Sequence, residues 1–258
     1  MIPIKEYEEK YSRAKHLYLE EHKTLTEIGK ELHMSRNRLS KKFKAEGIEV
    51  VNPQNCTKFD DTVFESITTE EQAYWLGFLY ADGSVSSTAN TVELSLQASD
   101  VKHLVKFKHF LGFKEDKYIY LDNFRCRLRF SNKKVKQNLC ALGCVPQKTL
   151  ILTFPTVDQV PKPFVKDFIR GYVDGDGCIH IRRNGLPYLQ IAGTEAFLQG
   201  LLDATGWKRN KVYTPPHANV YTIAWSGKNA LDYLDSMYGN ATIFLNRKYE
   251  LYQLLKKT

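Results

Sequence analysis

The chain repeats itself, and that duplication limits what it can fold into more than any other feature. "WLGFLYADG" at residues 75–83 and "IRGYVDGDG" at residues 169–177 each read as an apolar, small-residue helix closing on an acid and a glycine. About the same offset that superposes Asp82 on Asp176 also aligns "LSLQASDVKHLVKFKHFLGF" (94–113) with "LQIAGTEAFLQGLLDATGW" (189–207). It further aligns "RLRFSNKKVKQNLCALG" (127–143) with "TIAWSGKNALDYLDSMYG" (222–239). Each half reads as an apolar helix ending in an acid, a strand hairpin, a helix, a second hairpin and a helix. Asn184-Gly185 is a two-residue hairpin turn between the first strands of the second half. The expected fold class is α+β, with two pseudo-symmetric αββαββα repeats over residues 70–155 and 156–258.

The two nonapeptides and the element succession that follows each of them resemble the LAGLIDADG homing endonucleases in their single-chain, two-repeat form. The likeness runs from about residue 70 to the end of the chain. It implies that the motif helices pack against each other at the pseudo-twofold axis, the repeats forming a DNA-binding saddle. Small residues at matching positions, Gly77 with Gly171 and Ala81 with Gly175, would let the backbones approach. The resemblance places Asp82 and Asp176, with the preceding Ala81 and Gly175, at bound metal, and hard carboxylate oxygens with room for phosphate and water suit Mg2+. It also implies a lysine near each scissile phosphate, and Lys148 and Lys248 hold corresponding places in the repeats. Gln97 is a polar candidate in the first-repeat pocket, with a counterpart near Ala192 or Gly193, so the two sites are expected to differ. Asp174 answers to Tyr80 and reads as structural. A calcium loop starting in "DGDG" fails, because Cys178 and Gly185 stand where oxygen ligands are due.

Residues 1–50 read as a separate all-α module. Leu25, Ile28 and Leu32, then Leu39 and Phe43, recur at helical spacing around "HMS", and Ser35 is a candidate N-cap. This stretch resembles the helix-turn-helix family. The second helix would offer Asn37 and Arg38 to base edges and Arg36, Lys41 and Lys42 to phosphates, with Ser35 at its start. The Pro-, Asn- and Thr-containing stretch 51–69 reads as a linker.

A formal net charge of +8 favours a polyanionic partner, nucleic acid ahead of membrane. In "FRCRLRF", Arg125, Arg127 and Arg129 share one strand face, while Cys126, Leu128 and Phe130 share the other. The matching strand of the second repeat presents Val220, Thr222 and Ala224 instead, so a long, non-palindromic duplex site is expected. His180 and Arg182 alternate with Ile179 and Ile181 and are groove-facing candidates. The five cysteines, Cys56 among them, are odd in number and scattered, which argues against a disulfide framework, and the seven histidines form no metal finger. No apolar run is long enough to span a bilayer and no signal peptide is legible, so the expected setting is intracellular: the cytoplasm of a bacterial or phage-infected host, or an organelle. An intein is not expected, since no splicing nucleophile stands at Met1. The functional expectation is a monomeric, Mg2+-dependent DNA double-strand endonuclease. A non-cleaving DNA-binding regulator on the same scaffold and an intron RNA maturase are the alternatives.

Overall fold

The computed structural model describes residues 4–21, 23, 25–48, 50, 59–113, 119–210, 212 and 220–257. Cys56, His22 and His217 lie outside these residues. The chain divides into two compact units, Met1–Thr57 and Lys58–Thr258.

In the first unit, α1 (Ile4–Leu19), α2 (Leu25–Glu31) and α3 (Arg36–Ala45) surround a small core of their own. The apolar residues spaced for one helix face meet there: Leu25, Ile28, Leu39 and Phe43 pack with Tyr11, Ala14 and Leu17 of α1. The turn between α2 and α3 is held by the burial of Leu32 and Met34 and by the Met34 N–H donating to Gly29 O at 2.9 Å. Ser35 occupies the N-cap of α3 but makes no side-chain capping bond.

The second unit is built around α4 (Glu70–Asp82) and α7 (Val165–Asp176). A capping box opens α4: Thr69 Oγ1 accepts from the Gln72 N–H at 3.2 Å, and Gln72 Oε1 accepts from the Thr69 N–H at 3.1 Å. Residues 73–80 are all buried, as expected of a helix apolar on every side that runs through the centre of a domain. Its contact with α7 is reciprocal. A methyl added to Gly77 would lie 1.9 Å from Phe168 O, and one added to Gly171 would lie 1.9 Å from Tyr74 O. The duplication in the sequence is thus a twofold-like seam in space, with backbone against backbone where the two glycines sit.

Each repeat lays an antiparallel sheet beside this seam. The first sheet has the order β1-β2-β4-β3, from β1 (Gly83–Val85), β2 (Thr91–Gln97), β3 (Ile119–Leu121) and β4 (Arg125–Ser131). Helices α5 (Val101–Phe110) and α6 (Lys133–Ala141) complete that repeat. The second sheet, among the described residues, is β5-β6-β7, from β5 (Cys178–Ile181), β6 (Pro187–Gly193) and β7 (Tyr221–Ser226). It is followed by α9 (Lys228–Tyr238) and α10 (Asn246–Leu255), with α8 (Glu195–Thr205) between β6 and β7. In the repeat register, the segment answering to β3 falls at residues 213–219, outside the described residues.

Strand β4 alternates as its sequence requires. Cys126, Leu128 and Phe130 are buried, and Arg125, Arg127 and Arg129 are exposed, paired across β2 with Gln97, Ser95 and Glu93. The segment read as a linker is different. Val63, Phe64 and Ile67 are buried in the main core, Phe59 stacks on Phe113 at 4.7 Å, and the Asp60 N–H donates to Leu111 O at 2.8 Å. Residues 59–69 therefore belong to the second unit. Their Thr and Asp content reads as loop, whereas their apolar residues supply packing without a regular period.

Candidate active site and nucleic-acid interface

Both motif helices end on their acid and leave through a glycine of nearly identical conformation, φ −75° and ψ 148° at Gly83 and φ −78° and ψ 149° at Gly177. The two ends meet. A methyl on Gly175 would fall 2.4 Å from the Ala81 methyl and 3.2 Å from Asp82 Oδ2, so α7 closes directly over the first acid. Asp82 remains reachable by solvent from its open side. Burial of its other side pushes the carboxyl up to about 6, and the charge of Asp176 adds to the rise, against the pull of Lys248 and Lys148. Burial also raises Asp176, opposed by Lys148 and Lys248.

The lysines reproduce the symmetry. Lys148 Nζ donates to the carbonyl of Gly83, and Lys248 Nζ donates to the carbonyl of Gly177 at 2.6 Å. They differ in exposure. Lys148 is half-buried, whereas Lys248 is 6% exposed and also donates to Val173 O at 2.5 Å. Desolvation lowers Lys248 to about 8, offset first by the buried Asp174 carboxylate. Asp174 accepts from Tyr74 Oη at 2.8 Å, Tyr238 Oη at 2.6 Å and the Leu245 N–H at 2.7 Å, and its equivalent Tyr80 instead donates to Leu142 O at 2.6 Å. Asp174 ties α4, α9 and the entry to α10 together behind the site. Lys248 is thus bonded to the end of α7, while Lys148 has solvent beside it.

Two clefts open on either side of the acids. The first, about 510 Å3, is lined by Asp82, Gln97, Asp100, Phe124, Arg125 and Arg247 among others. The second, about 340 Å3, is lined by Asp176, Lys148, Thr149, Ala192, Gly193 and Thr194 among others. Gln97 stands beside Asp82, and strand pairing makes Thr194, rather than Ala192 or Gly193, its counterpart beside Asp176: Leu94 faces Leu128 as Ile191 faces Ile223. Arg247, held by Asp100 at 3.2 Å, was not singled out from the sequence. Its equivalent in the first repeat is Gln147, so the repeat comparison gives no signal for it.

The donor set suits a hard cation. Two carboxylates whose ionisation is resisted by burial and by each other are relieved by a shared positive ion. Among the described residues no group of three or more His, Cys, Asp or Glu side chains forms a metal cage, so an ion held by the two acids would need backbone carbonyls, water or substrate oxygens as further ligands. The raised carboxyls carry a stability consequence. Both fold with the carboxyl raised above 3.8; for Asp82, ionisation costs the native state fully above about pH 6, and the cost fades as pH falls toward 3.8. Asp82→Asn should therefore raise the melting temperature of the metal-free protein at about pH 7.5, by an amount that shrinks toward about pH 4.5. Thermal denaturation in chelator at both pH values checks this, and an unchanged or larger gain at the lower pH contradicts it.

The outer faces of the two sheets differ. On the first, Arg127 lies over the Tyr120 ring at 4.5 Å, and Arg129 faces Glu93 at 3.8 Å. On the second, Tyr188 lies between the His180 ring, 4.4 Å away, and the Arg182 guanidinium, 4.5 Å away. Thr222 and Ala224 are half-buried on that face. Tyr188 pairs with His180 because the loop spans three residues, 183–185, with Gly185 at φ 80°; a two-residue Asn184-Gly185 turn would have set Leu189 opposite His180, so the sequence reading missed Tyr188.

In the first unit, Ser35, Arg36, Asn37, Arg38 and Lys41 are exposed at the start of α3, and Arg38 lies over the Tyr7 ring at 4.6 Å. Lys42 departs from expectation. It folds back on α1, 3.0 Å from Glu8 Oε1 and 3.9 Å over the Tyr11 ring, one turn further along the face on which Arg38 meets Tyr7.

No protein-family profile matches the chain. A stretch of 139 residues is 25% identical to a probable translation initiation factor IF-2 of Methanocaldococcus jannaschii, covering 50% of this chain and 11% of that protein. The chain thus spans about a tenth of that relative's length. Solved structures match over far more. The LAGLIDADG homing endonuclease I-SmaMI bound to cleaved DNA aligns with TM-score 0.50 and 12% identity over 74% of this chain and 89% of that one. The LAGLIDADG homing endonuclease I-GzeII in complex with its DNA target aligns with TM-score 0.50 and 11% identity, over 72% and 88%. With two acid-ended helices packed at a glycine seam and a sheet on either side, the chain has the fold of the single-chain LAGLIDADG homing endonucleases.

Proposed function

We propose that this chain is a site-specific endonuclease that hydrolyses both strands of duplex DNA with divalent metal, Mg2+ in the cell, held by Asp82 and Asp176. The observation that carries the reading is the convergence of one acid from each repeat, with an equivalent lysine on the carbonyl that follows each acid. A divalent metal held by Asp82 and Asp176 would supply the positive charge that eases deprotonation of water and departure of the 3′ oxygen. A water oxygen bonds to phosphorus as the P–O3′ bond breaks, leaving a 5′ phosphate and a 3′ hydroxyl. Lys148, with solvent beside it, orders water and offsets charge on the phosphate near Asp176. Lys248, buried, keeps the end of α7 and its acid in place. The solved relatives seen with target and with cleaved DNA support duplex DNA as the partner.

Arg125, Arg127 and Arg129 on one sheet and His180 and Arg182 on the other hold unlike half-sites, so the target is long and non-palindromic. Both acids lie in one chain, and a monomer therefore suffices for both strands. The first unit adds a second DNA contact through Ser35, Arg36, Asn37, Arg38 and Lys41 as a helix-turn-helix. The setting is intracellular, on the DNA of a mobile element's host.

Sequencing of DNA ends tests the proposal. Purified protein and Mg2+ are mixed with fragmented genomic DNA beside the Asp82→Asn, Asp176→Asn variant. Staggered breaks at one sequence, made by the wild type alone, are the expected result. Specific binding without breaks from either protein would replace it with the non-cleaving regulator.

A further inference from the structure

Phe124 sits in an unusual place for its side chain. By strand parity it belongs with Cys126, Leu128 and Phe130, all buried under the first sheet. The strand starts one residue later, and Phe124 is 82% exposed, more than any other large hydrophobic among the described residues. Its backbone is nevertheless pinned. The Asp122 carboxylate accepts from the Phe124 and Arg125 N–H groups at 2.8 Å each, and the Phe124 carbonyl accepts from the Ala98 N–H at 3.0 Å. The ring is therefore presented by a fixed turn. It lines the cleft that holds Asp82 and Gln97, next to the arginine face of β4.

We propose that Phe124 is a wedge that inserts at a base step of the bound duplex on the Asp82 side and unstacks it. The inference rests on the DNA-cleaving reading above. An exposed apolar ring beside three arginines faces a polyanion, and the apolar surface a duplex offers there is the face of a base. Unstacking a step bends the duplex and widens its contact with the sheet. It also gives the first repeat a means of choosing its half-site by deformability, which the second repeat lacks: in the sequence register Phe124 answers to Asn219, which carries no ring.

The test uses the full chain carrying Asp82→Asn and Asp176→Asn, so that bound DNA stays intact. Duplexes are enriched from a random library on this protein, then resynthesised with thymine at each position of the bound region and probed with permanganate, which attacks unstacked thymine. One hyperreactive step is expected. Phe124→Ala should abolish it and weaken binding on the order of tenfold, whereas Phe124→Trp should keep both. Unchanged affinity and reactivity in Phe124→Ala, or no hyperreactive step with Phe124 present, would overturn the wedge while leaving DNA recognition in place. Failure to enrich any duplex would overturn both readings. The ring is exposed, so neither substitution disturbs the core, and matching melting temperatures verify this.

Discussion

Asp176→Asn is expected to abolish double-strand cleavage and to leave duplex affinity almost unchanged. Asparagine keeps the size and one oxygen of the side chain but removes the charge that makes the site attractive to a dication. In the proposed reaction a metal would supply several kcal/mol of transition-state stabilisation, so its loss should slow cutting by roughly a thousandfold. Binding survives because the exposed arginines of β4 and the basic start of α3 are distant from the substitution in sequence and are not bonded to Asp176. The single variant is more informative than the double one. Asp82 and its cleft persist, so supercoiled plasmid carrying the target shows whether one strand is still nicked. Linear product at the wild-type rate would sink the assignment of Asp176, and equal loss of binding and cutting would recast it as a structural residue.

The second large effect concerns the seam. Gly77→Ala or Gly171→Ala should lower stability by about 3 kcal/mol, although alanine is the better helix former by about 1 kcal/mol. The added methyl would stand 1.9 Å from a backbone carbonyl oxygen of the facing helix, and a carbonyl in a packed helix cannot rotate away. The helices must separate, and every buried side chain along the seam loses contact. For a unit of this size the melting temperature should fall by roughly 6–12 °C. The two substitutions should be equivalent, because each glycine faces the residue three positions before the other. Either variant melting within about 2 °C of the wild type would mean that the helices are not this close.

Cleavage should suffer in these variants even when the protein is folded. Asp82 and Gly175 are in contact, so a seam opened by an ångström changes the separation of the acids.

Much of this was legible in the sequence, for an identifiable reason. A duplication reports on symmetry directly, and alternation of period two along residues 124–130 assigned the faces of β4 before any pairing was known. The positions of the acids and of the paired lysines followed from register between the repeats. Tertiary structure decided what register cannot carry, which is how far water is excluded around each group. It buried Lys248 against three carbonyls but left solvent beside Lys148, its repeat equivalent. It turned Lys42 back onto α1 and packed residues 59–69 into the core. It started β4 one residue too late to cover Phe124. Each of these depends on which distant element lies across from a residue, and a local period of two or 3.6 contains no record of that.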